Sequence, residues 1–177
     1  MIELVAWDRA TLAANAEQVL DVYAEAMEVP RPAARSRRGV LAGHLDRAGL
    51  RAVASLDRSR LIGIGYGYLG AAGQWWHDQV RAAMTTGQVD AWLVDSFEVC
   101  ELHVLPTHQG AGLGRRLLAD LLSGTPARTA ILTTPDLETR ARAFYRAGGW
   151  TDLVRHLSFP GDPREFAVLG LHLGSTA

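Results

Sequence analysis

Two acid–base side chains stand two residues apart in one predicted strand, SFEVCELHVL, residues 96–105. Because side chains alternate along a strand, Glu101 and His103 project from the same face, whereas Glu98 projects from the other. A carboxylate and an imidazole in that arrangement are typical of general acid–base chemistry, such as removing a proton from a nucleophile. A solvated strand charge is the alternative interpretation of Glu101.

The same strand runs into a glycine-rich turn, LPTHQGAGLGRRLL, residues 105–118. Gly110, Gly112 and Gly114 lead into a predicted helix, whose first turn presents unpaired backbone N–H groups and the positive end of the helix dipole. These donors suit a phosphate or pyrophosphate, and glycine lets the phosphate approach the backbone. A P-loop is excluded because the chain has no lysine, and the dinucleotide-binding fingerprint requires glycine where Arg115 stands.

The spacing of the turn is Gln109-x-x-Gly112-x-Gly114, preceded by Val104-x-Pro106. It resembles the acyl-CoA motif of the GNAT superfamily of N-acetyltransferases. The resemblance implies an α/β fold with a central, mostly antiparallel twisted sheet and a splayed parallel strand pair, flanked by helices. It also implies that acetyl-CoA is the cosubstrate and that its acetyl group passes directly to a primary amine, with no covalent enzyme intermediate.

The resemblance assigns binding roles along the strand and turn. Backbone amides from Gly110 to Arg115 are expected to cradle the pyrophosphate of CoA, and the N–H of Val104 is expected to polarise the acyl carbonyl. Backbone groups of the strand end are expected to pair with the pantetheine arm. The implied cofactor-binding residues are Leu102, His103, Val104, Gln109, Gly110, Ala111, Gly112, Leu113, Gly114 and Arg115.

A second stretch, residues 132–150, is similar to the strand and helix that follow in the family. Its Phe144-Tyr145 pair matches the position of a tyrosine near the CoA sulfur, so Tyr145 is the candidate acid that protonates the leaving thiolate. Packing is the alternative role for this aromatic pair. Glu138 stands where the family often has asparagine, which weakens one expected contact to pantetheine.

The base is assigned by the same resemblance. In some family members a glutamate lies eight positions before the Gln/Arg of the loop, and Glu101 has that spacing from Gln109. His103 is the residue that could replace or assist it. Other members carry their base on the next strand, where this chain has Thr133, which cannot act as one.

The composition argues against a nucleic-acid, metal or membrane partner. The 177 residues carry a formal net charge of -1, which argues against a nucleic-acid partner. Cys100 is the only cysteine, histidines show no zinc spacing, and no metal is expected. No signal peptide or membrane span is recognisable, so a cytoplasmic protein without a membrane partner is expected.

The resemblance implies a single GNAT domain over residues 1–177, with an insertion around 71–95, and periodicity predicts its strands and helices. The predicted strands cover 2–7, 51–56, 60–69, 96–105, 128–134, 150–159 and 165–173. The predicted helices cover 10–27, a segment starting near Ser36, 74–84, 112–123, and a segment from Pro135 or Asp136 to Ala147; residues 85–90 are predicted to be a loop.

The acceptor pocket is expected where strands 60–70 and 96–105 meet the insertion. Trp75, Trp76 and His77 could line it, or they could pack against the sheet or a second subunit. The edges of the final strand pair leave a homodimer open. A non-catalytic acyl-CoA-binding module and an ordinary nucleotide-binding domain are the alternatives to an enzyme.

Overall fold

One seven-stranded sheet, in the order β1-β2-β3-β4-β5-β7-β6, organises the computed structural model, which describes residues 1–174. The strands are β1 (Ile2–Trp7), β2 (Arg51–Asp57), β3 (Arg60–Leu69), β4 (Ser96–Val104), β5 (Thr129–Pro135), β6 (Thr151–Ser158) and β7 (Glu165–His172). Pairing is antiparallel for β1–β2, β2–β3, β5–β7 and β6–β7. The β4–β5 pair is parallel over Ser96–Glu98 of β4. The predicted fold class is confirmed.

The helices are mostly short. They are α1 (Arg9–Ala14), α2 (Ala16–Ala26), α3 (Arg31–Arg35), α4 (Arg38–His44), α5 (Trp75–Ala82), α6 (Thr86–Gln88), α7 (Leu113–Leu122) and α8 (Arg140–Ala147). A π-helical turn follows α6 at Val89–Leu93, and a 3-10 turn follows β4 at Pro106–His108.

The chain divides into two compact units, of which the first comprises Met1–Tyr68 and Val99–Ser123. It holds β1 to β3, helices α1 to α4, the end of β4, and α7. The glycines of β3 let α7 pack closely: a Cβ on Gly63 would lie 3.0 Å from a methyl carbon of Leu117. The side chain of Leu117 therefore packs directly on the backbone of β3 at Gly63.

The second unit comprises Leu69–Glu98 and the chain from Gly124 onward. Its core contains Val80, Leu93, Ile131 and Val168, with Trp76 and Trp92 packed against them. The predicted insertion contributes to this core through α5 and the π-helical turn. It is therefore an integral part of the unit's packing.

Three predicted boundaries were wrong, each for a local reason. The helix predicted over 10–27 is broken at Asn15, whose side-chain amide donates to the carbonyl of Thr11 at 2.8 Å and so competes with the helical backbone. The predicted loop at 85–90 is largely helical, because Thr85 and Gln88 form a capping box.

The helix predicted to begin at Pro135 or Asp136 begins at Arg140. The hydroxyl of Thr139 caps it by accepting a hydrogen bond from the backbone N–H of Arg142 at 3.1 Å. The carboxylate of Asp136 instead binds the Arg142 side chain, which draws the preceding loop onto the helix.

Candidate active site

The carboxylate of Glu101 joins two partners at the end of β4. Its Oε2 lies 2.5 Å from Nε2 of His103, and its Oε1 accepts a hydrogen bond from Nη2 of Arg37 at 2.5 Å. Arg37 lies in the turn between α3 and α4. Glu101 and His103 lie on one face of β4, as predicted, and their side chains are in direct contact. Each side chain is only 12% exposed.

Opposing effects determine the charges of Glu101 and Arg37. Burial would raise the pKa of Glu101, but the hydrogen bond of His103, the charge that His103 carries when it is protonated, and the charge and hydrogen bond of Arg37 outweigh it and hold the pKa below its ordinary value. Burial would likewise lower the pKa of Arg37, and the Glu101 carboxylate outweighs this to raise it. Glu101 is therefore an anion at neutral pH and Arg37 a cation.

The ring of Tyr23 packs against both Arg37 and His103. The guanidinium carbon of Arg37 lies 4.7 Å from the ring centroid of Tyr23, and the His103 ring meets Tyr23 edge-on with centroids 5.2 Å apart. A small pocket opens here within the first unit. It is lined by Val19, Leu20, Tyr23, Arg37, Val40, Leu41, Tyr66, Glu101 and His103.

Two further ionisable groups are Tyr66, which lines the pocket, and His44, which contacts Tyr66. The hydroxyl of Tyr66 lies 3.3 Å from Nδ1 of His44. Burial raises the pKa of Tyr66 well above its ordinary value, and burial lowers the pKa of His44. Both side chains are therefore uncharged at neutral pH.

The glycine-rich turn has the geometry of an anion cradle. Gly110 and Gly112 adopt φ of 87° and 79°, in the left-handed region that favours glycine. Gly112 is the N-cap of α7, and within residues 1–174 no side chain caps this terminus. The side chain of Gln109 closes the turn by donating to the carbonyl of Val104 at 2.9 Å.

The first turn of α7 contains the other predicted binding residues. The backbone N–H of Arg116 reaches the carbonyl of Gly112, so the N–H groups of Leu113, Gly114 and Arg115 precede the first helical hydrogen bond. A Cβ built on Gly112 would have nothing within 4 Å. The space beside the uncapped amides is open, and the residues present therefore fit a phosphate group.

Tyr145 lies in the second unit, on α8. It is buried, and its ring meets those of Phe144 and Trp150 edge-on, with centroids 5.1 and 5.5 Å away. Glu138, at the position where the family often has asparagine, is an exposed residue paired with Arg146 at 2.8 Å.

The insertion does not contribute to the pocket of the first unit. Within the second unit, the indole N–H of Trp76 donates to the hydroxyl of Thr133 at 3.2 Å, and His77 bonds Glu98 at 2.9 Å. Trp75 is 56% exposed and lies beside Phe159. Packing therefore accounts for Trp76 and His77.

Sequence reasoning missed the two pocket residues that contact the acid–base pair from the helices. Tyr23 was recognisable only as part of the apolar stripe of α2. Arg37 had no signal of its own within the arginine-rich segment RPAARSRR, residues 31–38. Residues 1–174 contain no group of three potential metal ligands, and none of their helices is long and apolar enough to cross a membrane.

Known proteins resemble this chain in sequence and in fold. The model of the acetyltransferase (GNAT) family matches residues 16–149. A GCN5-like protein acetyltransferase of Mycobacterium tuberculosis is 35% identical over 181 aligned positions, covering 85% of this chain and 88% of that protein.

Solved structures share the fold at lower identity. A GNAT-family protein from Desulfovibrio desulfuricans has a TM-score of 0.72 at 17% identity, over 98% of this chain and 100% of that one. The PaiA N-acetyltransferase of Thermoplasma acidophilum, in complex with coenzyme A, has a TM-score of 0.65 at 12% identity, over 98% and 99% of the chains. The chain therefore belongs to the GNAT family of acetyltransferases and is an acyltransferase.

Proposed function

We propose that the protein transfers the acetyl group of acetyl-CoA to a primary amine by direct attack. The observation that carries this proposal is the continuity of β4 with the glycine-rich turn. One strand presents the bonded pair Glu101 and His103, and eight residues after its end the chain forms an uncapped helix terminus at Gly112.

The cradle is suited to the phosphates of CoA. Its amides are uncapped, and neither Arg115 nor Arg116 has an ion-pair partner within residues 1–174, so their charge is available to a phosphate. Pairing of β4 with β5 covers only Ser96–Glu98, before the residues Leu102–Val104 that would bind the pantetheine arm. A solved structure with the same fold was determined with coenzyme A, which supports this ligand.

The reaction needs a neutral amine and a protonated leaving group. The pair of Glu101 and His103 would remove the proton from the acceptor ammonium. The amine nitrogen then attacks the acetyl carbonyl, polarised by the N–H of Val104. The C–N bond forms and the C–S bond breaks. Tyr145 would supply a proton to the departing thiolate, and the second proton released by the nitrogen would restore the phenol through solvent.

A protein amine is the acceptor class with most support. The 35% identical relative is named a protein acetyltransferase. The pocket beside Glu101 combines apolar walls with the imidazole of His103, which suits the alkyl chain and the amino group of a lysine side chain. The lysine-free sequence makes any acetyl-lysine formed in an assay attributable to the acceptor.

Calorimetry and mass spectrometry test the proposal in sequence. The purified protein is titrated with acetyl-CoA, desulfo-CoA and ADP, and lysine-containing peptides are then incubated with enzyme and acetyl-CoA. We expect binding that needs the pantetheine arm, followed by peptide acetylation. Binding without transfer to any peptide or small amine would indicate a non-catalytic acyl-CoA module, and tighter binding of ADP than of CoA would indicate a nucleotide site.

A further inference from the structure

We infer that His103 accepts the proton of the acceptor amine at its Nδ1 atom, and that Glu101 and Arg37 are positioning residues which select this tautomer. The inference rests on the acetyl transfer proposed above and assigns the proton to one member of the pair. It follows from the hydrogen-bonding capacity of three side chains in contact.

The first step concerns the proton on His103. An ionised carboxylate only accepts hydrogen bonds, so its Oε2, 2.5 Å from Nε2 of His103, requires that Nε2 carry the hydrogen. A neutral imidazole has one N–H. The lone pair of His103 is therefore at Nδ1, and that atom is the one able to take a proton.

The second step concerns the competing assignment to Glu101. Both of its oxygens are engaged, one by His103 and one by the guanidinium of Arg37. Protonation of Glu101 would break one of these contacts and leave Arg37 beside a neutral acid. The lowered pKa of Glu101 agrees with this cost.

The third step concerns Arg37. Its guanidinium is held between the Glu101 carboxylate and the face of Tyr23, 4.7 Å from the ring centroid. Its positive charge balances the carboxylate, so removing Arg37 would leave an unbalanced anion beside His103. The neighbouring ionisable groups, Tyr66 from β3 and His44 from α4, are uncharged at neutral pH.

The proton balance is simple. One proton moves from the ammonium to Nδ1 of His103, giving an imidazolium whose Nε2–H remains bonded to Glu101. The free amine then attacks the thioester, and the imidazolium returns its proton to solvent. Glu101 keeps its charge throughout, as an orienting carboxylate does beside a histidine base.

The substitution Glu101→Gln tests the tautomer sharply. Arg37 can only donate, so it will attract the amide oxygen of the new side chain, and the NH₂ group will then face Nε2 of His103. That donor forces the imidazole proton to Nδ1, where it blocks the base. We expect nitrogen NMR of ¹⁵N-histidine-labelled protein to show Nε2–H in the wild type and Nδ1–H in Glu101→Gln, without any ligand added.

A second substitution should reverse the effect. With Arg37→Met added to Glu101→Gln, the amide is free to turn its oxygen toward His103, which restores the Nε2–H tautomer. We expect kcat to fall about 10²- to 10⁴-fold in His103→Gln and in Glu101→Gln, and to recover at least about tenfold in the double variant. Arg38→Met, which affects an exposed arginine paired with Glu17, is the matched control and should leave kcat unchanged.

Replacing Arg37 should also change the pH dependence of kcat/KM. In Arg37→Met the unbalanced carboxylate stabilises the imidazolium, so the acidic limb of kcat/KM should move to higher pH, and Arg37→Lys should return it towards the wild-type position.

An Nδ1–H tautomer in the wild type, or a double variant with the tautomer restored and no recovered rate, would overturn the inference. Wild-type protein that binds acetyl-CoA and acetylates no amine would contradict the proposed function instead.

Discussion

At the scale of single residues, the left-handed glycine at the start of α7 is the most direct test of the cradle. Gly112→Ala places a methyl group in open space beside the uncapped amides, and its φ of 79° costs an L-residue about 1–2 kcal/mol. We expect the affinity for acetyl-CoA to fall at least about tenfold because the methyl group holds the phosphate away from the backbone. Calorimetric titration measures the change.

Gly124→Ala is the matched control for the conformational cost. Gly124 also has a positive φ, 72°, and nothing within 4 Å of a built Cβ, but it lies beyond the other end of α7. We expect a comparable loss of stability from each variant and no change in acetyl-CoA affinity for Gly124→Ala. An equal loss of affinity in both would show that strain alone is responsible.

The hydroxyl of Tyr145 is tested by Tyr145→Phe. The ring packs against Phe144 and Trp150 and should stay in place, so folding and acetyl-CoA binding are expected to change little. Turnover should fall on the order of 10²-fold if the phenol protonates the thiolate. Steady-state kinetics and calorimetry on the same preparation separate the two effects, and unchanged turnover would remove Tyr145 from the mechanism.

At the scale of elements, a buried ion-pair network holds the loop before α8. The carboxylate of Asp136 contacts Arg142 at 2.5 Å and Arg155 at 2.7 Å, and it accepts the backbone N–H of His156 at 2.8 Å. Burial raises the pKa of Asp136, but these donors outweigh it and lower the pKa to about 2. The network also includes Asp152 on β6 and so ties α8, which carries Tyr145, to its neighbouring strand.

This network predicts a pH dependence of stability. Because the folded-state pKa of Asp136 is lower than its ordinary value of 3.8, its contribution is present above about pH 4 and is lost as pH falls towards 2. The free energy of unfolding lost in Asp136→Asn should therefore be largest near neutral pH and shrink over that interval. Urea unfolding at a series of pH values measures it, with the exposed Asp120→Asn as control; a pH-independent difference would contradict the assignment.

At the scale of the whole molecule, the absence of lysine has a chemical consequence. The N-terminal amino group is the only primary amine of the 177 residues, and it is paired with Asp57 at 3.2 Å. Prolonged incubation with acetyl-CoA should therefore add at most one stable acetyl group to the enzyme. Intact-mass spectrometry checks this, and a second stable acetyl group would show that another side chain is modified.

Much of the molecule followed from local signals in the sequence. Gly110 and Gly112 could be placed in a turn before a helix because glycine tolerates a positive φ, and the strands around Gly63 and Glu101 followed from alternation. Helix boundaries were less predictable. Asn15 and Thr139 end or begin helices through single side-chain hydrogen bonds, and such bonds compete closely with helical backbone pairing.

The sequence by itself determined the family, the order of strands and helices along the chain, the glycine-rich turn before α7, and the shared face of Glu101 and His103, because each depends on residues close together in the chain. Only the tertiary structure decided what surrounds that pair. Arg37 is 64 positions from Glu101, and its pairing and its stacking on Tyr23 exist only once the helices pack over the sheet. Long-range contacts of this kind set the charge and tautomer of a site, and no spacing within the sequence encodes them.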